Sequence, residues 1–71
     1  MRRLPFREVR RRLEAAGFTV VSQSGSHVKF VRRLDDREYT AIVPRHREVA
    51  AGTLRSILRQ AGLTERQFEA L

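Results

Sequence analysis

The sequence contains no cysteine, which excludes disulfides and any metal site built on thiolates. Its two histidines lie 19 positions apart, at His27 and His46, and this spacing argues against a structural zinc site. No apolar run approaches the roughly 20 residues of a membrane span, and the N-terminus is not followed by an apolar signal core. We therefore expect residues 1–71 to form a single cytoplasmic domain, with no membrane partner, no metal and no small-molecule cofactor.

Acidic residues are few compared with basic ones. The chain has 8 Asp and Glu against 15 Lys and Arg, a formal net charge of +7, and 14 of the 15 basic residues are arginine. Guanidinium groups stay charged and bind phosphate oxygens in a bidentate fork. A small domain this basic is expected to meet a polyanion or an acidic protein. The alternative is that the arginines reflect genomic base composition and serve only solubility.

Apolar residues at helical spacing predict helices at both ends of the chain. The predicted helices cover residues 5–16, residues 52 or 53 to 61, and residues 64–71. The third helix opens with a capping-box pattern, Thr64 with Gln67 three residues later.

Three runs rich in branched and aromatic residues lie between the helices and predict strands. They cover residues 18–23, 27–33 and 38–43, and a basic loop over residues 45–52 follows. Short connections make the strands an antiparallel three-stranded meander, stopped at Pro44. The fold class is therefore α+β, in the order α-β-β-β-α-α, with the helices covering one face of the sheet.

Side-chain alternation divides the second strand between two faces. Val28 and Phe30 share one side, whereas His27, Lys29 and Val31 share the other. We expect the large aromatic Phe30 to face the helices, which leaves His27 and Lys29 on the open face. A one-residue bulge in this strand would reverse the assignment.

Three segments resemble the HicA (YcfA-like) toxin family of bacterial toxin–antitoxin systems. The first is Gly25-Ser26-His27, followed by Phe30 in the next strand, and the second is Val43-Pro44 with His46 two residues beyond. The third and most specific is the run of residues 52–64, GTLRSILRQAGLT. Together with the order of the elements, these matches span nearly the whole chain.

The resemblance implies a double-stranded-RNA-binding-domain-like fold and a ribonuclease that cuts mRNA and stops translation. It assigns the activity to His27 and implies an adjacent HicB-type antitoxin protein that covers this histidine. The chain departs from the family at Ser24, because many members carry a basic residue just before the glycine. With serine at this position, we expect RNA binding at the turn to be weaker or to be supplied by Lys29 or Arg45.

The Gly-Ser-His cluster carries the residue types that RNA cleavage needs. RNA supplies its own nucleophile, the 2′-hydroxyl, so that the protein needs a proton-transfer group and cations around the phosphate. We assign proton transfer to His27, a phosphate-binding backbone to Gly25 and Ser26, and the nearby positive charge to Lys29. The alternative is that His27 merely ends a strand and hydrogen-bonds a neighbour.

Four further residues are candidates for RNA or phosphate binding. Arg45 and His46 lie in the basic loop, and Arg55 and Arg59 form a basic strip on the exposed side of the second helix. His46 has an alternative role as a second acid or base. The alternative for the arginines is that they are exposed to solvent and bind no ligand.

The leading hypothesis is a metal-independent endoribonuclease toxin that cleaves mRNA with His27 as general acid or base. The main rival is a non-catalytic RNA- or DNA-binding module of the same shape, and Ser24 is the feature that favours it. A third hypothesis is a protein-interaction domain whose basic surface meets an acidic partner.

Overall fold

The helices and strands follow the predicted order, with two additional strands of two residues each. In the computed structural model, which describes residues 1–71, the elements are β1 (Leu4–Pro5), α1 (Phe6–Ala15), β2 (Thr19–Ser24), β3 (His27–Leu34), β4 (Arg37–Pro44), β5 (Glu48–Val49), α2 (Ala51–Ala61) and α3 (Glu65–Glu69). The predicted α+β class and its α-β-β-β-α core order are confirmed.

The main sheet is an antiparallel meander in the order β2-β3-β4. The pairing of β3 with β4 is continuous from His27 opposite Pro44 to Leu34 opposite Arg37. The pairing of β2 with β3 is interrupted at Val21, which bulges out between two paired residues. Because the bulge lies in β2, the alternation of β3 is undisturbed.

The helices cover one face of this sheet and enclose the core. Val28 and Phe30 are 3% and 0% exposed, as the alternation predicted, whereas His27 and Lys29 are exposed and Val31 is half-buried. The core contains thirteen buried apolar residues, of which all but Phe18 lie in helices and strands: Val9, Leu13, Phe18, Val28, Phe30, Ala41, Val43, Val49, Leu54, Ile57, Leu58, Ala61 and Phe68. Burial of these residues leaves the opposite face of the sheet open.

Residues 45–52 were predicted to form a loop, and this prediction is wrong in part, because the segment contains a short strand, β5. Its β5 residues pair antiparallel with β1, Leu4 opposite Val49 and Pro5 opposite Glu48. A two-residue strand is too short to show alternation, so the sequence pattern gave no sign of it. Since β1 directly precedes α1 and a single residue separates β5 from α2, this pairing joins the two segments that lead into the helices.

Several predicted boundaries shift by one or two residues. Pro44 was expected to stop the third strand, but it is the last residue of β4 and pairs with His27. Helix α3 ends at Glu69, two residues before the predicted end. Its predicted capping box is present, with Thr64 and Gln67 exchanging side-chain to backbone hydrogen bonds of 2.9 and 3.0 Å.

Candidate functional site

His27 lies at a corner of the sheet where the β2–β3 turn meets the end of β4. It is the first residue of β3, paired with Ser24 on one side and with Pro44 on the other. Beyond the paired strands, the backbone N–H of Arg45 donates a hydrogen bond to the carbonyl oxygen of Ser26. The Gly-Ser-His and Val-Pro motifs, separate in the sequence, therefore form one structural unit.

The turn before His27 leaves its backbone open to solvent. Gly25 has a φ of +58°, a conformation that side-chain-bearing residues rarely adopt. A Cβ atom built at Gly25 would meet no atom within 4 Å. The side chain of Gln23 donates a 3.3 Å hydrogen bond to the carbonyl oxygen of Gly25. The turn is thus held by its neighbours while an anion can approach the backbone from outside.

The His27 side chain is exposed and available for chemistry. The side-chain hydrogen bonds in this part of the sheet involve Thr19 and Gln23, and the imidazole of His27 takes part in none. The structure therefore gives no support to the alternative in which His27 serves only to hydrogen-bond a neighbour. Lys29 lies two residues along β3 on the same face, about 7 Å away at the usual strand rise.

Ion pairing shows which cations are free to bind an anion. Most carboxylates are occupied: Glu8, Glu14, Glu38 and Glu48 pair with arginines, and Glu65 pairs with the terminal ammonium group of the chain. The arginines in these pairs are Arg3, Arg10, Arg11, Arg12 and Arg33. None of the cations selected from the sequence, Lys29, Arg45, Arg55 or Arg59, has a carboxylate partner.

The segment leaving β4 places positive charge beside the turn. Arg45, His46 and Arg47 are all exposed and follow Pro44 directly. The guanidinium carbon of Arg45 lies 5.9 Å from the centre of the Phe6 ring. Phe6 belongs to the apolar pattern that predicts the first helix, and this pattern indicates only a core residue, because no local pattern links residues so far apart in the chain.

Arg55 and Arg59 lie elsewhere, on the exposed side of α2. They line a surface depression with Leu58, Leu63 and two residues that begin α3. The Nη2 atom of Arg59 donates a 3.1 Å hydrogen bond to Ser56 Oγ, and no hydrogen bond or ion pair joins either arginine to the turn. The backbone of the structure thus brings Gly25, Ser26, His27 and Arg45 to one corner, with Lys29 and His46 two and one residues along the chain. The side chains of His27 and Lys29 lie on the open face, the Arg45 guanidinium lies over Phe6 on the helix-covered face, and Arg55 and Arg59 lie on a separate surface.

The residues described contain no group of three or more His, Cys, Asp or Glu side chains that could hold a metal ion. None of the three helices combines the length and apolar character needed to cross a membrane.

A family model for the HicA toxin of bacterial toxin-antitoxin systems matches residues 6–63, most of the 71-residue chain. The chain belongs to the HicA toxin family. Its match begins at α1 and includes the whole sheet and α2, and only β1 and α3 lie outside it. No curated protein matches the sequence significantly. This HicA-family protein is accordingly the toxin of a toxin–antitoxin system, and an antitoxin is its partner.

Proposed function

We propose that this HicA-family toxin is an endoribonuclease that cleaves mRNA in the bacterial cytoplasm and thereby stops translation and growth. The observation that carries the proposal is the corner of the sheet. An exposed histidine, an open glycine turn and unpaired cations meet there in a chain of +7 charge. No cofactor enters the proposed reaction.

The proposed reaction uses the 2′-hydroxyl of the substrate as nucleophile. This oxygen attacks the adjacent phosphorus atom, and His27 accepts its proton as general base. The bond from phosphorus to the 5′-oxygen breaks, and the leaving oxygen takes a proton from solvent or from protonated His27. The products are a 2′,3′-cyclic phosphate and a 5′-hydroxyl. General acid–base catalysis of this kind contributes about 10²–10⁴-fold in rate.

The backbone and the cations of the corner supply the electrostatic stabilisation that the proposed reaction needs. The open amide groups of Gly25 and Ser26 hold a phosphate oxygen, and Lys29 balances the negative charge that grows on the reacting phosphate. Arg45 binds a neighbouring phosphate of the same strand, on the helix-covered side of the corner. His46 is proposed as a further phosphate contact. Arg55 and Arg59 extend RNA binding over the helical side of the molecule, away from the cleaved bond.

The antitoxin partner is proposed to be a HicB-like protein that covers His27. The open sheet face beside this histidine carries exposed apolar side chains, Val21 at 54% and Ile42 at 44% exposure. Ile42 pairs with Lys29 across the strands, so the apolar and basic groups are neighbours. A protein with an acidic rim around apolar side chains fits such a surface.

The rival function is RNA or DNA binding without cleavage. Ser24 supports it, because this residue pairs directly with His27 and leaves the position next to the histidine without charge. A binding module would use the same corner and the same cations. The difference lies only in whether the bound strand is cut.

Incubation of the purified protein with end-labelled RNA in the presence of a metal chelator distinguishes the two functions. We expect cleavage by the wild type, loss of cleavage in His27→Ala, and retained cleavage in His46→Ala. Circular dichroism should show the same fold in all three proteins, because both histidines are exposed. RNA that is bound but stays intact with the wild type would favour the rival.

Expression in cells provides the biological test of the same proposal. The wild type should arrest growth and His27→Ala should not, and co-expression of the neighbouring antitoxin should restore growth to the wild type. If His27→Ala is as toxic as the wild type, the assignment of catalysis to this residue is contradicted.

A further inference from the structure

Phe6 is anchored to the same strand that begins with His27. Its ring is half-buried, with its centre 6.5 Å from that of Phe30 and the two planes inclined by 42°. Phe30 is 0% exposed and lies in β3, three residues after His27. The exposed side of the Phe6 ring is therefore held at a fixed position relative to the corner of the sheet.

Arg45 is held to this corner at both ends. Its backbone N–H donates to the Ser26 carbonyl oxygen in the turn, and its guanidinium lies over the Phe6 ring at 5.9 Å from the centre. A guanidinium held over a ring by cation–π attraction keeps its N–H donors available to an anion where no protein acceptor binds them.

Comparison with the other stacked arginines sets Arg45 apart. Arg12 lies over Phe68, and its guanidinium also donates to the Phe68 carbonyl and to Glu8. Arg32 lies between two rings and donates to the Ala16 carbonyl. These two arginines hold parts of the fold together. The guanidinium of Arg45 lies over the Phe6 ring and has no protein acceptor, which leaves its donors free for a ligand.

We propose that Phe6 is a positioning residue that orients Arg45 to bind an RNA phosphate on the helix-covered side of this corner, while His27 projects from the open side. The inference rests on the proposed function and adds to it a residue of α1, a helix that the Gly-Ser-His motif does not include. Restricting a long side chain before binding lowers the conformational entropy lost when the phosphate arrives. Loss of the ring should thus weaken RNA binding only through Arg45.

A double-mutant cycle on RNA binding tests this coupling. The probe is a fluorescent 2′-O-methyl RNA oligonucleotide, which lacks the nucleophilic hydroxyl and cannot be cleaved by the proposed reaction. We expect Arg45→Ala to raise Kd about 5–20-fold and Phe6→Leu to raise it about 2–5-fold. In the Arg45→Ala background Phe6→Leu should change Kd no further, and Phe6→Tyr should bind as the wild type does.

Phe18→Leu is the matched control, because Phe18 carries the structural Arg32 and lies in the core. It should lower the melting temperature without raising Kd, measured where circular dichroism shows every variant to be folded.

Two results for Kd would overturn the proposal. One is that Phe6→Leu raises Kd equally in the wild type and in the Arg45→Ala background, and the other is that Arg45→Ala raises Kd whereas Phe6→Leu does not. Absence of RNA binding by the wild type would also overturn it. Failure of cleavage alone would contradict the proposed function and leave the coupling in binding intact.

Discussion

His27 and Pro44 face each other directly in the β3–β4 ladder, at the end of the sheet where both motifs terminate. The hydrogen bond from the Arg45 N–H to the Ser26 carbonyl continues this pairing into the turn. The histidine is therefore positioned by paired strands and not by a free loop. A site built on regular elements holds its groups more firmly than one built on a loop.

Substitution of Gly25 separates its conformational role from its role in ligand approach. Gly25→Ala should destabilise the fold by about 1–2 kcal/mol, because the left-handed conformation is costly for an L side chain. Gly25→Asn should cost less, since asparagine tolerates this region. Both variants place a side chain where a phosphate is proposed to approach, so both should bind RNA more weakly. Urea unfolding curves measure the stability of each variant, and RNA titrations measure its affinity. If Gly25→Asn binds RNA as tightly as the wild type does, the glycine is needed for the turn conformation alone.

Addition of a positive charge at Ser24 should strengthen RNA binding at this corner of the sheet. Ser24 is exposed and is the cross-strand partner of His27, so Ser24→Lys places an ammonium group beside the proposed scissile phosphate. We expect RNA to bind about 3–10-fold more tightly at low salt. Thr19→Lys, farther along the same strand, is the matched control and should produce a smaller gain. Equal gains from both lysines would indicate a general charge effect.

The salt dependence of RNA binding tests the basic strip on α2. Each phosphate contact contributes about 0.7–0.9 to the slope of log K against log salt. Arg55→Ala and Arg59→Ala should each lower the slope by about this amount if the strip binds the RNA backbone. Arg37→Ala is the control, since Arg37 is exposed at the opposite end of β4 from Pro44. An unchanged slope in both α2 variants would identify the strip as a solvated surface.

Acid should loosen the contact between α1 and the C-terminal segment. Hydrogen bonds from Arg11 and Arg12 lower the pKa of Glu8 to about 2. The same arginines donate to the carbonyl oxygens of Leu71 and Phe68, so Glu8 orients the groups that hold α3.

The pKa of Glu8 is lower in the folded chain than its ordinary value of 4.5. The stability that ionised Glu8 contributes to the fold is therefore complete above about pH 4.5. The stabilisation is lost as the pH falls from about 4.5 towards 2. We expect Glu8→Gln to be less stable than the wild type at neutral pH, with the difference shrinking in acid. Thermal melts between pH 7 and pH 2 measure this, with Glu14→Gln, which breaks a single 3.4 Å pair, as control. A constant difference across this range would contradict the role of Glu8.

The sequence predicted the main sheet and the faces of its central strand because alternation is a local property. Val28 and Phe30 alternate with His27 and Lys29 over a stretch without a bulge, so the exposed and buried sides could be assigned. The bulge at Val21 lies in the neighbouring strand, where it leaves that assignment unchanged.

Contacts between distant segments could not be predicted in the same way. The pairing of Leu4 with Val49 depends on two-residue strands that carry no periodic pattern. The stacking of Arg45 on Phe6 joins the start of α1 to the end of β4, and each residue taken alone fits a commoner role. Phe6 matches a core stripe, and Arg45 matches a charged loop.

The most direct test is the single-turnover rate constant for cleavage at one mapped bond, measured in chelator for the wild type and His27→Ala. Replacing the ribose on the 5′ side of that bond by 2′-deoxyribose removes the proposed nucleophile. We predict a loss of about 10²–10⁴-fold in His27→Ala, no cleavage of the deoxy bond, and a 2′,3′-cyclic phosphate on the wild-type product. Cleavage of the deoxy bond, or a wild-type rate constant in His27→Ala, would contradict the account.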